Sequence, residues 1–180
     1  LTLMGEHNKN ILNNVNLHIK RGEIVGIAGV SGNGQSELIR CITGLEKVDA
    51  GNVIINNKDI TNNTVRDIRE AGIAHVPEDR YMWGSAPDAT LAENALMGYE
   101  DSDEFSKKGI LNTDKVINHA INLISKFRVK AHSYSQKIKE LSGGNAQKLI
   151  VAREMSKETP LIIACEPTRG IDIGAIEFIH

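Results

Sequence analysis

Aromatic residues and cysteines are scarce in this 180-residue chain, and neither sign of charge is in large excess. Only 4% of the residues are aromatic, and none precedes Tyr81. The two cysteines, Cys41 and Cys165, lie far apart and form neither a disulfide framework nor a metal-ligand spacing, which fits a reducing compartment. The chain has 21 basic and 23 acidic residues, and a net charge of −2 does not indicate a basic surface for nucleic acid. The apolar runs are too short to cross a bilayer, although a peripheral membrane role stays open.

A glycine-rich loop follows an apolar segment near the start of the chain. Residues 23–29 are mostly apolar, which predicts a strand buried on both faces of a parallel sheet. A helix is predicted from Glu37 to Thr43. Strand, glycine loop and helix in this order are typical of a phosphate-binding P-loop, because glycine amides can converge on phosphate oxygens. The candidate ligands of the phosphates are Gly29, Ser31, Gly32, Asn33, Gly34, Gln35, Ser36 and Glu37.

The lysine of the GxxxxGK[ST] pattern is replaced here by Gln35, while Ser36 keeps the hydroxyl that would meet Mg²⁺. A charge-assisted hydrogen bond contributes about 1.5–3 kcal/mol, and a neutral one about 0.5–1.5 kcal/mol. We therefore expect nucleotide binding to be weakened by about tenfold, with loss of a charge that stabilises the transferring phosphate. Taken alone, a glycine loop without lysine is better explained as a structural turn.

A second glycine motif, Leu141–Gln147, opens an apolar helical run. Ser142 is the predicted N-cap, and the glycines that follow lie where free N–H groups and the positive end of the helix dipole collect. Such a terminus can bind phosphate. A helix start with a flexible lead-in is the simpler interpretation of Ser-Gly-Gly alone. The candidate binding residues are Ser142, Gly143, Gly144, Asn145 and Gln147.

The rest of the chain alternates between strand and helix patterns. Two edge strands are predicted within residues 1–20, and a capping box is predicted at Thr90 and Glu93. An amphipathic helix is predicted over residues 112–127. The remaining predictions are a strand at 51–55 with its turn at 56–59, a helix at 64–71, a buried strand at 73–76, a central strand at 161–164, a loop at 101–108, and a helix beginning near Gly174.

Two polar motifs follow the predicted strands at 73–76 and 161–164, namely Pro77–Arg80 and Cys165–Asp172. With the two glycine motifs, and in this order, they resemble the motifs of ATP-binding-cassette (ABC) ATPases. The resemblance implies that Glu166 polarises the attacking water as the catalytic residue and that Asp172 belongs to the D-loop. It places Glu78 where the family usually has a Gln that touches Mg²⁺, so Ser36 and Glu78 are the candidate metal ligands. Cys165 replaces the Walker B aspartate, and as a thiol it is a poor partner for a hard cation; we expect it to be a small buried apolar residue at a strand end.

The resemblance implies an α/β fold: a P-loop NTPase core with a parallel sheet, antiparallel edge strands and an inserted helical subdomain, cut before the C-terminal strands. Residues 1–80 and 158–180 would form the ATPase core, and residues 81–157 the helical signature subdomain. Tyr81, Met82 and Trp83 would be partner contacts or core filling beneath the insertion. The adenine-stacking aromatic usual in the family is not evident, and His7 is a weak substitute.

Pro77–Arg80 and residues 169–175 look similar to the second, degenerate cassette of sugar and nucleoside importers, with nucleoside importers closer. The implied ligands are ATP and Mg²⁺, both bound weakly. The implied partners are transmembrane permease subunits, a second ATP-binding cassette of the same polypeptide and, indirectly, a solute-binding protein, with no nucleic acid. The implied place is peripheral, on the cytoplasmic face of the cell membrane.

We therefore expect an impaired ATP site in this cassette and an intact signature, Leu141–Gln147, that acts on the nucleotide of the partner cassette. Two alternatives stay open. One is a non-catalytic docking module in which nucleotide plays no part. The other is a soluble ABC ATPase of DNA repair or translation, against which the slightly acidic charge balance argues.

Overall fold

The computed structural model describes residues 1–5, 9–157 and 159–179. The position of His7 lies outside the described residues. The chain forms two compact units, Leu1–Ile73 and Ala74–His180. The domain boundaries expected from the sequence, 1–80 with 158–180 against 81–157, stay a prediction.

The first unit combines short antiparallel strands with two helices. Its elements are β1 (Leu3–Met4), β2 (Asn10–Leu12), α1 (Gln35–Ile42), β3 (Ile54–Ile55), β4 (Lys58–Asp59) and α2 (Val65–Glu70). β1 pairs antiparallel with β2, and β3 with β4, so the antiparallel strands predicted within residues 1–20 are confirmed. A small apolar core joins β1, β2 and α1 through Leu3, Leu12 and Leu38. This core holds the start of α1 in place.

The turn predicted over residues 56–59 is shorter in the structure. Asn56 and Asn57 have positive φ angles of 48° and 63°, and Lys58–Asp59 already forms β4. Asparagine tolerates the left-handed conformation better than most residues, so a two-residue hairpin turn is enough here.

The predicted buried strand at residues 23–29 is absent, and that prediction was wrong. The segment has no regular secondary structure, and its apolar side chains are exposed, with Ile24 at 99% and Ile27 at 51%. A strand of this kind is buried only when strands pair with it and helices cover both faces. Within the described part of the chain, no strand pairs with these residues.

The second unit contains a strand pair and a helical bundle. Its elements are β5 (Ile73–Val76, whose first residue closes the first unit), α3 (Leu91–Leu96), β6 (Ser106–Lys107), β7 (Ile110–Leu111), α4 (Thr113–Lys126), α5 (Gly143–Met155), β8 (Leu161–Ala164) and α6 (Ile173–Ile179). β5 is hydrogen-bonded to β8, and both have the predicted bounds. The loop predicted at 101–108 instead carries β6, which forms a small antiparallel hairpin with β7.

Helices α3, α4 and α5 pack around one apolar core in which Leu91, Ile138 and Leu149 are at most 1% exposed. The predicted capping box is present, because the Thr90 hydroxyl accepts the Glu93 N–H and the Glu93 carboxylate accepts the Thr90 N–H. A buried ion pair near the end of α5 joins Arg153 to Glu154 at 2.8 Å, and Glu154 accepts the His75 N–H at 3.3 Å. The signature helix is therefore tied directly to β5.

The aromatic cluster after β5 lies on the surface. Met82 is 71% exposed and Trp83 is 60% exposed, so the interpretation of these residues as core filling is wrong. The Asp79 carboxylate accepts the N–H groups of Tyr81 and Met82, both at 2.9 Å. Both hydrogen bonds lower the pKa of Asp79, and the one from Met82 has the larger effect. They also fix the turn.

Candidate functional site

In the first unit, the glycine loop leads directly into α1, and two of its glycines have positive φ angles. Gly34 is the N-cap residue and has φ 96°, and Gly32 has φ 85°. Both angles lie in the left-handed region, where a side chain would add strain. Ser31, Gly32, Asn33 and Ser36 are exposed to solvent, whereas Gly34 is buried. Glu37 lies half-buried in the first turn of α1.

The Gln35 side chain folds back over this loop. Its Nε2 donates to the Val30 carbonyl at 3.4 Å, near the limit of a hydrogen bond. A Cβ at Gly29 would lie 1.8 Å from Gln35 Nε2, so a side chain there would force the Gln35 amide to move. The residue that replaces the P-loop lysine thus lies against the loop backbone and brings no positive charge to it.

In the second unit, Arg169 joins the two carboxylates that the sequence singled out. Its Nη1 forms an ion pair with Glu78 Oε1 and lies 3.4 Å from Glu166 Oε2. All three side chains are roughly half exposed, between 46% and 62%. Glu166 has a positive φ of 42°, an uncommon conformation for a residue with a side chain. The arginine therefore partly neutralises both carboxylates.

Arg80 holds the segment that follows β8. Its guanidinium donates to the carbonyls of Arg169 at 3.1 Å and Gly170 at 3.4 Å. A Cβ on Gly143, the first residue of α5, would lie 3.4 Å from the Gly170 carbonyl and 3.5 Å from the Arg80 guanidinium carbon. The start of α5 thus lies beside the segment that follows β8 in the same unit.

Cys165 is the last residue before Glu166 and lies beside β5. Its N–H donates to the Val76 carbonyl at 2.9 Å, and its Sγ lies 3.7 Å from His75 Nε2. Burial raises the pKa of the Cys165 thiol, and the charges of Glu78 and Glu166 raise it further. The residue is half-buried and has a polar neighbour, so it is not the purely apolar residue expected from the sequence.

The signature segment presents an uncapped helix start. Ser142 occupies the predicted N-cap position, but its side chain makes no hydrogen bond to the first N–H groups of α5. The Asn145 amide contacts both Ser142 Oγ and the Lys130 N–H, at 2.8 Å each. Gln147 is 3% exposed and lies inside the helical core. A shallow depression of about 300 Å³ adjoins Ser142 and Asn145, and Lys130, His132 and Glu140 are among the residues that line it.

The donor set fits Mg²⁺ poorly. Among the described residues, no group of three or more His, Cys, Asp or Glu side chains could hold a metal ion. Glu78 is already paired with Arg169, and a thiol stands at Cys165, whereas Mg²⁺ prefers a rigid octahedron of oxygens. Ser36 offers one exposed hydroxyl.

The predicted site residues fall into two groups. The loop from Gly29 to Glu37 lies in the first unit, and Glu78, the signature residues, Glu166 and Asp172 lie in the second. A phosphate pocket shared by Gly34 and Glu166 stays a prediction. Asp172 directly precedes α6, and its carbonyl accepts the Ile176 N–H at 3.0 Å.

Sequence reasoning missed the pairing partners of these residues. In the sequence, Arg169 and Arg80 stand out only as members of the two polar motifs, although in the structure their guanidinium groups hold the ends of β5 and β8 together. One signal was available for Arg169, since it follows Glu166 by three residues and carries the opposite charge. No local signal connects Arg80 with Gly170, because 90 residues separate them.

Three comparisons place the chain among known proteins. A family model described as "ABC transporter" matches residues 12–169. The chain is 46% identical to the nucleoside import ATP-binding protein NupA of Lactococcus lactis subsp. cremoris, covering 92% of this chain and 33% of that protein. It is 45% identical to the guanosine import ATP-binding protein NupO of Bacillus subtilis (92% and 32% covered) and 45% identical to the glucose import ATP-binding protein TsgD13 of Haloferax volcanii (94% and 31%). The chain spans about a third of the length of these relatives.

Solved structures of ATP-binding cassettes have the same fold. The dimeric post-hydrolysis structure of the cassette MJ0796 bound to ADP and Pi superposes with a TM-score of 0.79 at 31% identity, covering 99% of this chain and 75% of that one. The cassette MJ1267 gives a TM-score of 0.79 at 28% identity, covering 99% and 71%. Among the described residues, no helix is long and apolar enough to cross a membrane.

Proposed function

This chain belongs to the ABC transporter family, whose cassettes bind ATP, and from that premise we propose that it is a nucleotide-binding part of an importer for nucleosides or simple sugars. The names of its relatives, which include nucleoside, guanosine and glucose import proteins, support this assignment. In the proposal the cassette lies on the cytoplasmic face of the membrane and contacts transmembrane permease subunits. A second cassette of the same polypeptide pairs with it, and a solute-binding protein acts indirectly.

The ATP site of this cassette is impaired in the proposal. Gln35 brings no charge to the phosphates, and its amide lies against the loop backbone that would receive them. Cys165 replaces a carboxylate that would orient Mg²⁺, and a thiol is a poor ligand for this hard cation. Arg169 Nη1 lies 3.4 Å from Glu166, the residue expected to polarise water, so a positive charge already engages this carboxylate.

The signature acts on the nucleotide of the partner cassette. One observation carries this proposal: the start of α5 is not capped by the Ser142 side chain, whereas the carboxylates of Glu78 and Glu166 are already paired with Arg169. The Ser142 hydroxyl and the N–H groups of Gly143 and Gly144 are the proposed donors to the terminal phosphate. The positive end of the 13-residue helix α5 adds to the attraction. These donors stabilise the charge that spreads over the phosphate oxygens during transfer.

The test compares Ser142→Ala with Glu166→Gln in the intact two-cassette transporter. Removal of one preorganised donor typically lowers turnover by about 100-fold, so Ser142→Ala should nearly abolish ATP-driven uptake into vesicles. Glu166→Gln should leave most of the uptake. Ser125→Ala, an exposed serine at the end of α4, is the matched control and should change nothing. Equal losses from both variants, or a loss from Glu166→Gln alone, contradict the asymmetric assignment.

A further inference from the structure

The amide of Asn145 lies between Ser142 and the segment that precedes the signature. Its Oδ1 accepts the Lys130 N–H at 2.8 Å, and its Nδ2 lies 2.8 Å from Ser142 Oγ. A backbone N–H can only donate, so the amide atom that faces Lys130 is the oxygen. The nitrogen therefore faces Ser142, and it donates to the serine hydroxyl oxygen.

This arrangement differs from the helix caps elsewhere in the chain. The hydroxyls of Thr64 and Thr90 each accept a backbone N–H from the third residue of their helix, both at 3.2 Å. A serine at the N-cap ordinarily does the same. Ser142 has the extended backbone of an N-cap, with φ −62° and ψ 153°, yet it makes no such bond. The group of Asn145 that donates to the Ser142 hydroxyl is its side-chain amide and not its backbone N–H.

Two groups of donors are left open by this exchange. The hydroxyl oxygen of Ser142 accepts from Nδ2, so its own hydrogen is directed away from the amide and can be donated outward. The first N–H groups of α5 are also not bound by the Ser142 side chain, and Ser142 is exposed. An anion at the start of the helix would meet both groups.

We propose that Asn145 is a positioning residue that turns the Ser142 hydroxyl into a fixed donor for the terminal phosphate of the nucleotide held by the partner cassette. This inference rests on the proposed function of the signature. Without the amide, the Ser142 hydroxyl is free to cap its own helix, and its donation to the phosphate is no longer fixed in advance. Loss of this fixed donor should lower kcat more than nucleotide affinity, because the hydrogen bond from Ser142 to the phosphate strengthens as charge develops on the phosphate oxygens.

Asn145→Asp is the sharpest variant. The carboxylate has the same shape and keeps an acceptor for the Lys130 N–H, but it cannot donate to Ser142. It accepts a hydrogen bond from the Ser142 hydroxyl instead and places a negative charge beside the phosphate. Asn145→Ala removes both hydrogen bonds. Asn112→Ala is the matched control, since Asn112 caps α4 through a bond to the Lys115 N–H at 3.0 Å.

The experiment is a double-mutant cycle on ATP turnover by the intact two-cassette protein, with kcat and KM measured for each variant. We expect Asn145→Ala to lower kcat by about tenfold with little change in KM, and Asn145→Asp to lower it further. In the Ser142→Ala background, the Asn145→Ala change should have almost no additional effect. Asn112→Ala should leave kcat unchanged in both backgrounds.

Three outcomes overturn the inference. If Asn145→Ala costs the same with and without the Ser142 hydroxyl, Asn145 serves only to tie Lys130 to the helix. If Asn145→Asp retains full turnover, donation to Ser142 is irrelevant. If Ser142→Ala itself has no effect on turnover, the proposed function of the signature fails, and the inference fails with it. In the first two outcomes Ser142→Ala still lowers turnover, so the inference fails alone and the proposed function stands.

Discussion

Replacing Gln35 by lysine should restore part of the affinity of this cassette for ATP. The Gln35 amide makes one long bond, 3.4 Å to the Val30 carbonyl, so little is lost when the side chain leaves the loop. A charged donor on a phosphate contributes about 1.5–3 kcal/mol, against about 0.5–1.5 kcal/mol for a neutral one. The difference of about 1–1.5 kcal/mol corresponds to roughly fivefold to tenfold tighter binding.

The assay is titration of the intact two-cassette protein with a fluorescent ATP analogue, after the partner cassette's phosphate loop has been disabled by mutation. Gln35→Met is the matched control, because it has a similar length and adds neither charge nor amide. The gain from Gln35→Lys should shrink as salt is raised, since screening weakens the added charge. An unchanged affinity, or an equal gain from Gln35→Met, would refute the reasoning that the missing charge weakens this site.

Three further predictions concern the second unit. Leu149→Ala should lower the free energy of unfolding by about 2–5 kcal/mol in denaturant titrations, whereas Ile121→Ala, at a 47% exposed position, should cost far less. Thr90→Ala should cost about 1 kcal/mol at pH 7. Hydrogen bonds from Thr90 lower the pKa of Glu93, so their contribution to stability is complete above the ordinary glutamate pKa and is lost as the pH falls through the pKa of Glu93 in the folded protein. Thermal melts at pH 7 and below pH 4 should therefore show that Thr90→Ala destabilises the protein less in acid. Alkylation of Cys165, followed by mass spectrometry, should be slow because burial raises the pKa of its thiol, and Glu78→Gln should accelerate it by removing a nearby negative charge. Rates that do not respond to Glu78→Gln, or equal costs for Leu149→Ala and Ile121→Ala, would contradict these accounts.

Elements with strong local signals could be predicted from the sequence. β5 and β8 have the predicted bounds because each is a short apolar run followed at once by polar residues. The capping box at Thr90 forms because its two hydrogen bonds are local. The P-loop NTPase fold suggested by the order of the motifs is confirmed by solved cassettes with TM-scores of 0.79.

Features that depend on distant residues could not be predicted. The apolar pattern of residues 23–29 gives the potential to form a buried strand, but neighbours must supply the hydrogen bonds, and the segment is exposed. Arg169 reaches Glu78 across 91 positions, and Cys165 reaches His75 across 90. These contacts follow from the pairing of β5 with β8, which no local pattern specifies. The hydrogen bond from Asn145 to Ser142 is local, with a separation of three residues, but the residue types alone predict an ordinary N-cap at Ser142.

The central claim is that this cassette contributes its signature, and not its own phosphate loop, to productive ATP binding. The most direct measurement is photo-crosslinking of the intact two-cassette protein during turnover with an ATP analogue that carries a photoreactive group on the terminal phosphate. Peptide mass spectrometry then identifies the labelled residues. We predict label in residues 141–147 of this chain and little in residues 29–37. Label concentrated in residues 29–37, with 141–147 unmodified, would contradict the account.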